Sequence, residues 1–353
     1  LNVENSLAAF GYMHVSKDGA MTIDGHSVNK YTFDNANVDF YAGDFIVNGN
    51  VTINDADAWV KYTKMSPDHA DGVLNITGTT KYESSIHNGG TTGTSLVFYN
   101  AGKVNIAKET TIEIDNATTL VEGAVLNIAS NKVIAKGAVT GNGTINLTDL
   151  AAKFTAQEGL TVNNGVEGNT DYGVTYVNGA YQFAQYVAQI GDKKYLTLQE
   201  AFAAAQDGET ITLLGNVTEV FAINNTNNVT LEMANNTLTG AVLPSTGNVT
   251  IQNGNIINSD NSHSAIEINS GSLNLNNVNI SSARHAVRID GGVTATINGG
   301  TYRVDEYNVK STRYAVNVSG NATVTILDGT FVGPYSDNTS DSGAAVNVQA
   351  GAS

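Results

Sequence analysis

Four arginines are the residues of this chain best suited to grip an anion. Arg284, Arg288, Arg303 and Arg313 are all the arginines it has, and they fall within 30 residues of one another in a chain of formal net charge −16. A guanidinium offers a flat fork of N–H donors that meets a carboxylate or a sulfate with paired hydrogen bonds. Arg284 and Arg313 stand two residues before an alanine in consecutive sequence units, and His263 holds that place one unit earlier. Stacked, they would make a cationic strip for carboxylate- or sulfate-bearing glycans. The plainer reading is an exposed ladder paired with Asp290, Asp305 or Glu306, worth little energetically. Tyr307, Tyr314 and Tyr335, in the same stretch, would add stacking surface for sugar rings.

Other chemistry is thinly represented. Glycoside hydrolysis normally needs two carboxylates facing one site, and no such pair is legible on neighbouring units. An arginine could act as the base of a lyase, but no calcium-ligand cluster accompanies it. Asp55 with Asp57, and Asp337 with Asp341, could hold calcium; none fits an EF-hand loop, and solvated turns account for them. The chain has no cysteine, which removes disulfides, thiolate metal sites and cysteine nucleophiles. There is no P-loop, no Gly-x-Ser-x-Gly, no His-Glu-x-x-His and no dinucleotide fingerprint. No catalytic residue and no cofactor are assigned.

The residues that could do chemistry sit on a repeat. His263-Ser-Ala-Ile-Glu-Ile268, Arg284-His-Ala-Val-Arg-Ile289 and Arg313-Tyr-Ala-Val-Asn-Val318 align, and Gly343-Ala-Ala-Val-Asn-Val348 begins a fourth copy. The alanines Ala265, Ala286, Ala315 and Ala345 are 21, 29 and 30 residues apart. Between them recurs a second piece, Leu275-Asn-Asn-Val-Asn-Ile280, Ile297-Asn-Gly-Gly-Thr-Tyr302 and Ile326-Leu-Asp-Gly-Thr-Phe331, with earlier copies at 233–238 and 251–256. Runs such as Val293-Thr-Ala-Thr-Ile297 alternate with period two, the mark of a strand with one buried face. Units of roughly 20 to 30 residues cannot bury that face alone and must stack on one another. The expected fold is all-β, a parallel β-helix of two solenoid segments. An immunoglobulin-like array would repeat at about 100 residues instead. Asn235, Asn253, Asn277, Gly299 and Asp328 share one turn position, which predicts a left-handed backbone there.

In chain order, residues 1–42 hold short strands around the turn at Asp18-Gly19 and are either a cap or a first coil. A first solenoid segment is expected over 1–165 and a hairpin connector over 166–187. In the connector, Val174 to Phe183 flanks an Asn178-Gly179 turn. A second solenoid is expected over 188–353. It opens with one helix, Leu198 to Gln206, started by the capping box Thr197/Glu200 and ended at Asp207-Gly208. That helix would cover the open end of the stack. Ten to eleven added residues, 303–312 and 332–342, leave consecutive coils at one corner, where insertions often form a binding face.

Charged residues make up 14 % of the chain, and an acidic balance disfavours nucleic acid and anionic membranes as partners. No stretch is apolar enough to span a bilayer. The start at Leu1 and the end inside a fresh unit suggest a piece of a longer protein.

The stretch Ala188-Gln-Ile-Gly-Asp-Lys-Lys-Tyr195 through Leu198-Gln-Glu-Ala-Phe202 to Thr210-Ile-Thr-Leu-Leu214 resembles the cap and first strand of pectate-lyase-like right-handed β-helix domains, especially those of large gut-bacterial surface proteins. The resemblance is specific over about 30 residues. It implies a right-handed β-helix on an extracellular, cell-surface or secreted bacterial protein, with a glycan or a host or bacterial surface protein as partner. Such folds host lyases, hydrolases and plain adhesins alike. Asn169-Thr-Asp171 is similar to one piece of the hydrolase pattern, but its paired-Asp, Gly-His-Gly and Arg-Ile-Lys companions are missing. The expected function is therefore a non-catalytic adhesin or stalk module, with a lyase or hydrolase of acidic glycans as the alternative.

Overall fold

The computed structural model describes residues 1–3, 7–9, 13–24, 38–68, 71–83, 85–87, 90–305, 313–334 and 344–353. The chain folds as two compact units, Leu1–Gln185 and Tyr186–Ser353. Both are stacks of parallel strands, the β-solenoid that the alternating runs require.

In the first unit, one sheet carries Ala20–Asp24, Asn50–Asn54, Val73–Thr77, Lys103–Ile106, Val125–Ile128, Thr144–Leu147 and Val162–Asn164, all parallel. The segment around Asp18-Gly19 is thus a coil of the stack. Alternation decides which way each residue faces. Leu74 and Ile76, Val104 and Ile106, and Leu126 and Ile128 point inward and are buried. Between them Asn75, Asn105, Asn127 and Asn146 lie in register on the outer face. Asn105, Asn127 and Asn146 each donate the side-chain amide to the asparagine one coil earlier, at 2.8 Å for each of the three steps. Such a ladder satisfies polar side chains without water and locks the register, since a one-residue slip would turn the apolar set outward.

The strand Asp57–Met65 turns a corner at Lys61. Its first half pairs with Lys81–Glu83 and its second with Ser95–Phe98. Two further faces continue from these halves, through Thr111–Ile114, Lys132–Ala135 and Lys153–Thr155, and through Thr118–Leu120 and Val139–Gly141. The hairpin Tyr172–Val177/Ala180–Gln185 turns at Asn178 (φ 50°) and Gly179 (φ 82°), as its Asn-Gly pair predicts. It pairs antiparallel with Lys153–Thr155 and so ends the parallel run of that face. Tyr181 packs on Phe154 at 6.4 Å, accepts the Leu160 N–H at 2.6 Å and donates to the Gln157 carbonyl at 3.2 Å. The hairpin covers strand edges and core that water would otherwise reach.

The second unit begins with the antiparallel pair Ala188–Ile190/Lys193–Tyr195 and the helix α1, Leu198–Ala204. Leu198, Ala201 and Phe202 are buried, and Phe202 stacks on Phe221 at 5.4 Å. Thr197 accepts the Glu200 N–H, as expected. The rest of the start signal comes from elsewhere: the Glu219 carboxylate accepts from Leu198 N at 2.7 Å and from Gln199 N at 2.9 Å. Those donors have no partner within the helix, and a carboxylate there also opposes the helix dipole. With seven residues, α1 is far too short to cross a membrane, and among the described residues no helix is long and apolar enough to do so.

After Thr210–Leu213 and Asn228–Glu232 the stack builds on long strands, Asn248–Asn258, Ser272–Ser282, Thr294–Val304 and Thr323–Val332. Each of the first three bends at the shared turn position, where Asn253 (φ 59°), Asn277 (φ 53°) and Gly299 (φ 82°) are left-handed; Asn235 (φ 64°) holds the same place one coil earlier. Asp328 departs from this expectation. The register shifts around it, Leu327 is the extra residue, and the positive φ passes to Gly329. Short strands close each coil: Ile266–Ile268, Val287–Ile289, Val316–Val318 and Val346–Val348, stacked in order. Ala265, Ala286 and Ala315 are fully buried at their start.

Candidate functional site

The short strands place one polar residue each on a common column. Glu267, Arg288, Asn317 and Asn347 are in register. Glu267 and Asn317 are buried, at 4 % and 5 % exposure, while the Arg288 side chain is about one third exposed. Glu267 accepts the Ser264 N–H at 2.8 Å. Arg288 lies 3.9 Å from Glu267 and 3.2 Å from Asp290. Asn347 donates to Asn317 at 2.8 Å. The Ser264 hydroxyl, buried beside this column, has no hydrogen-bond partner among the described residues.

One step before each alanine runs a second column, Ser264, His285 and Tyr314. The imidazole of His285 lies parallel to the Tyr314 ring, 5.5 Å away, and its Nδ1 accepts the Tyr314 N–H at 3.0 Å. Burial, and then the neighbouring guanidinium of Arg284, push His285 down to about 4. The ring is therefore neutral near pH 7. Because Nδ1 accepts a main-chain N–H, the proton sits on Nε2. His285 is a donor here and has no free lone pair with which to take a proton from Ser264. The Gly291 N–H, backed by Ser319 and Arg288, holds the Asp290 carboxyl below the usual carboxylate range. Asp290 therefore cannot serve as a proton donor near neutral pH. Among the described residues, the corner is rich in N–H donors, and neither His285 nor Asp290 is poised to donate and take up a proton near pH 7.

Two steps before each alanine the expected arginine column is present. Arg284 donates to the Ser262 carbonyl at 2.5 Å, and Arg313 to the Ala283 carbonyl at 2.5 Å. Both reach back to the main chain of the preceding coil. Of the expected carboxylate pairs, Arg288 meets Asp290 at 3.2 Å and Arg303 meets Asp305 at 2.5 Å. Arg284, Arg288 and Tyr314 thus gather around His285, with Arg313 next to Tyr314 in the chain. Arg303 stands on the adjoining face, in a groove of ≈ 330 Å³ lined also by Ile257, Asn279, Ser281 and Thr301. Tyr307, Tyr335, Glu306, Asp337 and Asp341 lie outside the described residues, as do most of both corner insertions.

The remaining candidates are accounted for locally. Asn169 accepts the N–H groups of Asp171 and Tyr172 and donates to the Tyr172 carbonyl, a polar turn. Asp55 accepts the Thr79 N–H at 2.9 Å and the Asn54 amide at 2.8 Å. Among the described residues no group of three His, Asp or Glu side chains converges to hold a metal ion. Within the first unit, the void among Leu74, Tyr82, Val104 and Ile112 is ≈ 10 Å³, about room for one water.

Sequence reasoning passed over Glu267, His285 and Asn317. The signal was present: His285 and Tyr314 share a place in consecutive units, as Glu267, Arg288 and Asn317 do. Compared with family models, with curated proteins and with solved structures, the chain matches none.

Proposed function

We propose that this chain is a non-catalytic recognition and spacer module of an extracellular bacterial surface protein, and that the corner around His285 contacts an anionic glycan. The supporting observation is the proton inventory of that corner. His285 spends Nδ1 on the Tyr314 N–H, and Asp290 is kept charged by Gly291 and Arg288. The groups that reach the surface there are the guanidiniums of Arg288 and Arg284, with His285 buried behind them. Guanidinium donors bind carboxylates or sulfates through paired hydrogen bonds, and an Asp290 held low and tied to Gly291 and Arg288 is a weak base.

The test is a glycan array of uronate-bearing and sulfated glycans, run beside an ultraviolet assay for unsaturated products with and without calcium. Binding that weakens with added salt, without product, is the expected result. Arg288→Ala should lower that binding by about tenfold, the loss of one charge-assisted pair. Release of unsaturated product would replace this reading with a lyase.

A further inference from the structure

A second surface, on the first unit, carries exposed aromatics that no repeat explains. Tyr62 and Tyr99 are 38 % and 47 % exposed. They belong to the outer face of the sheet formed by the second half of Asp57–Met65 and by Ser95–Phe98. Alternation puts Thr63, Met65 and Phe98 inside and Tyr62, Lys64 and Val97 outside. Tyr62 pairs with Ser95 and Lys64 with Val97, and the Tyr99 N–H bonds to the Met65 carbonyl at 2.9 Å. Tyr99 is therefore four residues further along the sheet than Tyr62, or ~13 Å at the rise of an extended strand.

Between these two positions stands an ion pair, Lys64 with Asp44 from the neighbouring strand. The Lys64 ammonium is within electrostatic reach of both phenols, and Lys61 lies over the Tyr62 ring at 5.1 Å. Neither tyrosine hydroxyl has a hydrogen-bond partner among the described residues. The corner beside Tyr62 is also where the unit departs from its own pattern. Later coils cross it in three residues, 115–117 and 136–138, but the coil after Tyr62 spends eleven, 84–94. That insertion forms the hairpin Ser85–His87/Gly90–Thr92, which packs against Val38–Val47 and Asp57–Met65. An insertion on one coil of a solenoid usually builds one wall of a binding surface.

We infer that this niche, formed by Tyr62, Lys64, Asp44 and Tyr99 beside the strand pair Ser85–His87/Gly90–Thr92, binds an uncharged oligosaccharide. A pyranose ring has an apolar C–H face and a hydroxyl rim. Exposed tyrosines match the face and can still donate at their tips. Lys64 and Asp44 together offer donors and an acceptor to hydroxyls. Lys64 and Asp44 offset each other and the Lys61 ammonium is turned onto the Tyr62 ring, so the aromatic faces make the main contact. A separation of ~13 Å along the sheet exceeds one sugar ring and calls for an oligosaccharide. A protein partner fits less well, because stable protein interfaces bury roughly 800 Å² per side around a core depleted of charge. Here Lys61, Lys64 and Asp44 occupy the centre.

The experiment uses the whole chain and four probes: cellohexaose, xylohexaose, mannohexaose and, as the anionic control, hexagalacturonate. Trp59 is the only tryptophan and lies three residues before Tyr62 on the same strand, so its fluorescence reports occupancy beside calorimetry. At least one neutral hexamer should bind with an affinity unchanged between low and high salt. Tyr62→Ala and Tyr99→Ala should each weaken it by about tenfold, whereas Tyr62→Phe and Tyr99→Phe should keep most of it. Circular dichroism of each variant separates lost binding from lost fold. Absence of binding by all three neutral hexamers would overturn the proposal. So would unchanged binding by the Tyr62→Ala/Tyr99→Ala double variant, or binding of hexagalacturonate alone. Arg288→Ala should leave neutral-hexamer binding intact, so the niche and the His285 corner stand or fall separately.

Discussion

Arg313 donates to the main-chain carbonyl of Ala283, thirty residues earlier and one coil below, at 2.5 Å. Arg284 makes the same contact to Ser262. A pair of arginines that reads in sequence as a ligand strip is thus also a pair of ties between successive coils. Hydrogen bonds from charged donors contribute about 1.5–3 kcal/mol, with part-exposed geometry at the lower end. Arg313→Ala is expected to cost about 1–2 kcal/mol of stability. Urea unfolding should show the shift in midpoint with little change in slope. An unchanged midpoint would mean that the tie contributes nothing in solution.

Glu219 should matter to the helical cap more than Glu200 does. It accepts both free N–H groups at the start of α1, from Leu198 and Gln199. Glu219→Ala is expected to cost about 1–2 kcal/mol, the size of a lost helix cap. Glu200→Ala should cost less than half of that. Amide exchange at Leu198 and Gln199 checks the cause: both should exchange faster in the Glu219 variant and not in the other.

The asparagine ladder of the first unit makes a different demand on chemistry. Asn127 donates to Asn105 and accepts from Asn146, at 2.8 Å each. Asn127→Ala removes both bonds and should cost about 1–3 kcal/mol. Asn127→Asp keeps the acceptor and loses the donor, placing a charged oxygen against the Asn105 carbonyl oxygen. Its loss should be larger at pH 7 than at pH 3, where the introduced carboxyl is protonated and can donate. Thermal unfolding at the two pH values distinguishes a hydrogen-bonded ladder from a column of merely adjacent amides, for which the pH would make no difference.

His285 predicts a pH dependence with a definite sign. Its folded-state value is about 4, below the ordinary 6.5 of an unfolded histidine. Between those values the unfolded chain binds a proton that the folded chain does not. Its contribution to stability is therefore fully present above about pH 6.5 and is lost as pH falls toward 4. Asp290, Glu232 and other carboxyls held low weaken the fold at still lower pH. The informative quantity is the difference between the wild type and His285→Gln from pH 7.5 to 4. The wild type should lose stability more steeply across pH 6.5 to 4. Parallel curves would show that the imidazole is not held neutral by its surroundings.

The sequence alone determined the stack. Period-two alternation, the anchors Ala265, Ala286 and Ala315, and the Asn253, Asn277 and Gly299 turns are local properties of the chain, set by strand geometry and by which residues tolerate a left-handed backbone. The Asn178-Gly179 hairpin and the Thr197 start of α1 were legible for the same reason. Tertiary structure decided who meets whom between coils. Asp328 lost its expected backbone because the register around it shifted, a cooperative matter of neighbouring strands. Arg284 and Arg313 reach main-chain carbonyls of the preceding coil, contacts that depend on which acceptor the stacking brings within reach. Glu219 reached α1 from a later strand. Tyr62 and Tyr99 share no repeat position and lie 37 residues apart in sequence; only the corner at Lys61 and the stacking of one coil on the next set them on one face. Alternation fixes inside and outside for each strand, but pairing between coils depends on how many residues each corner takes up, and that is settled only when the whole stack closes its core.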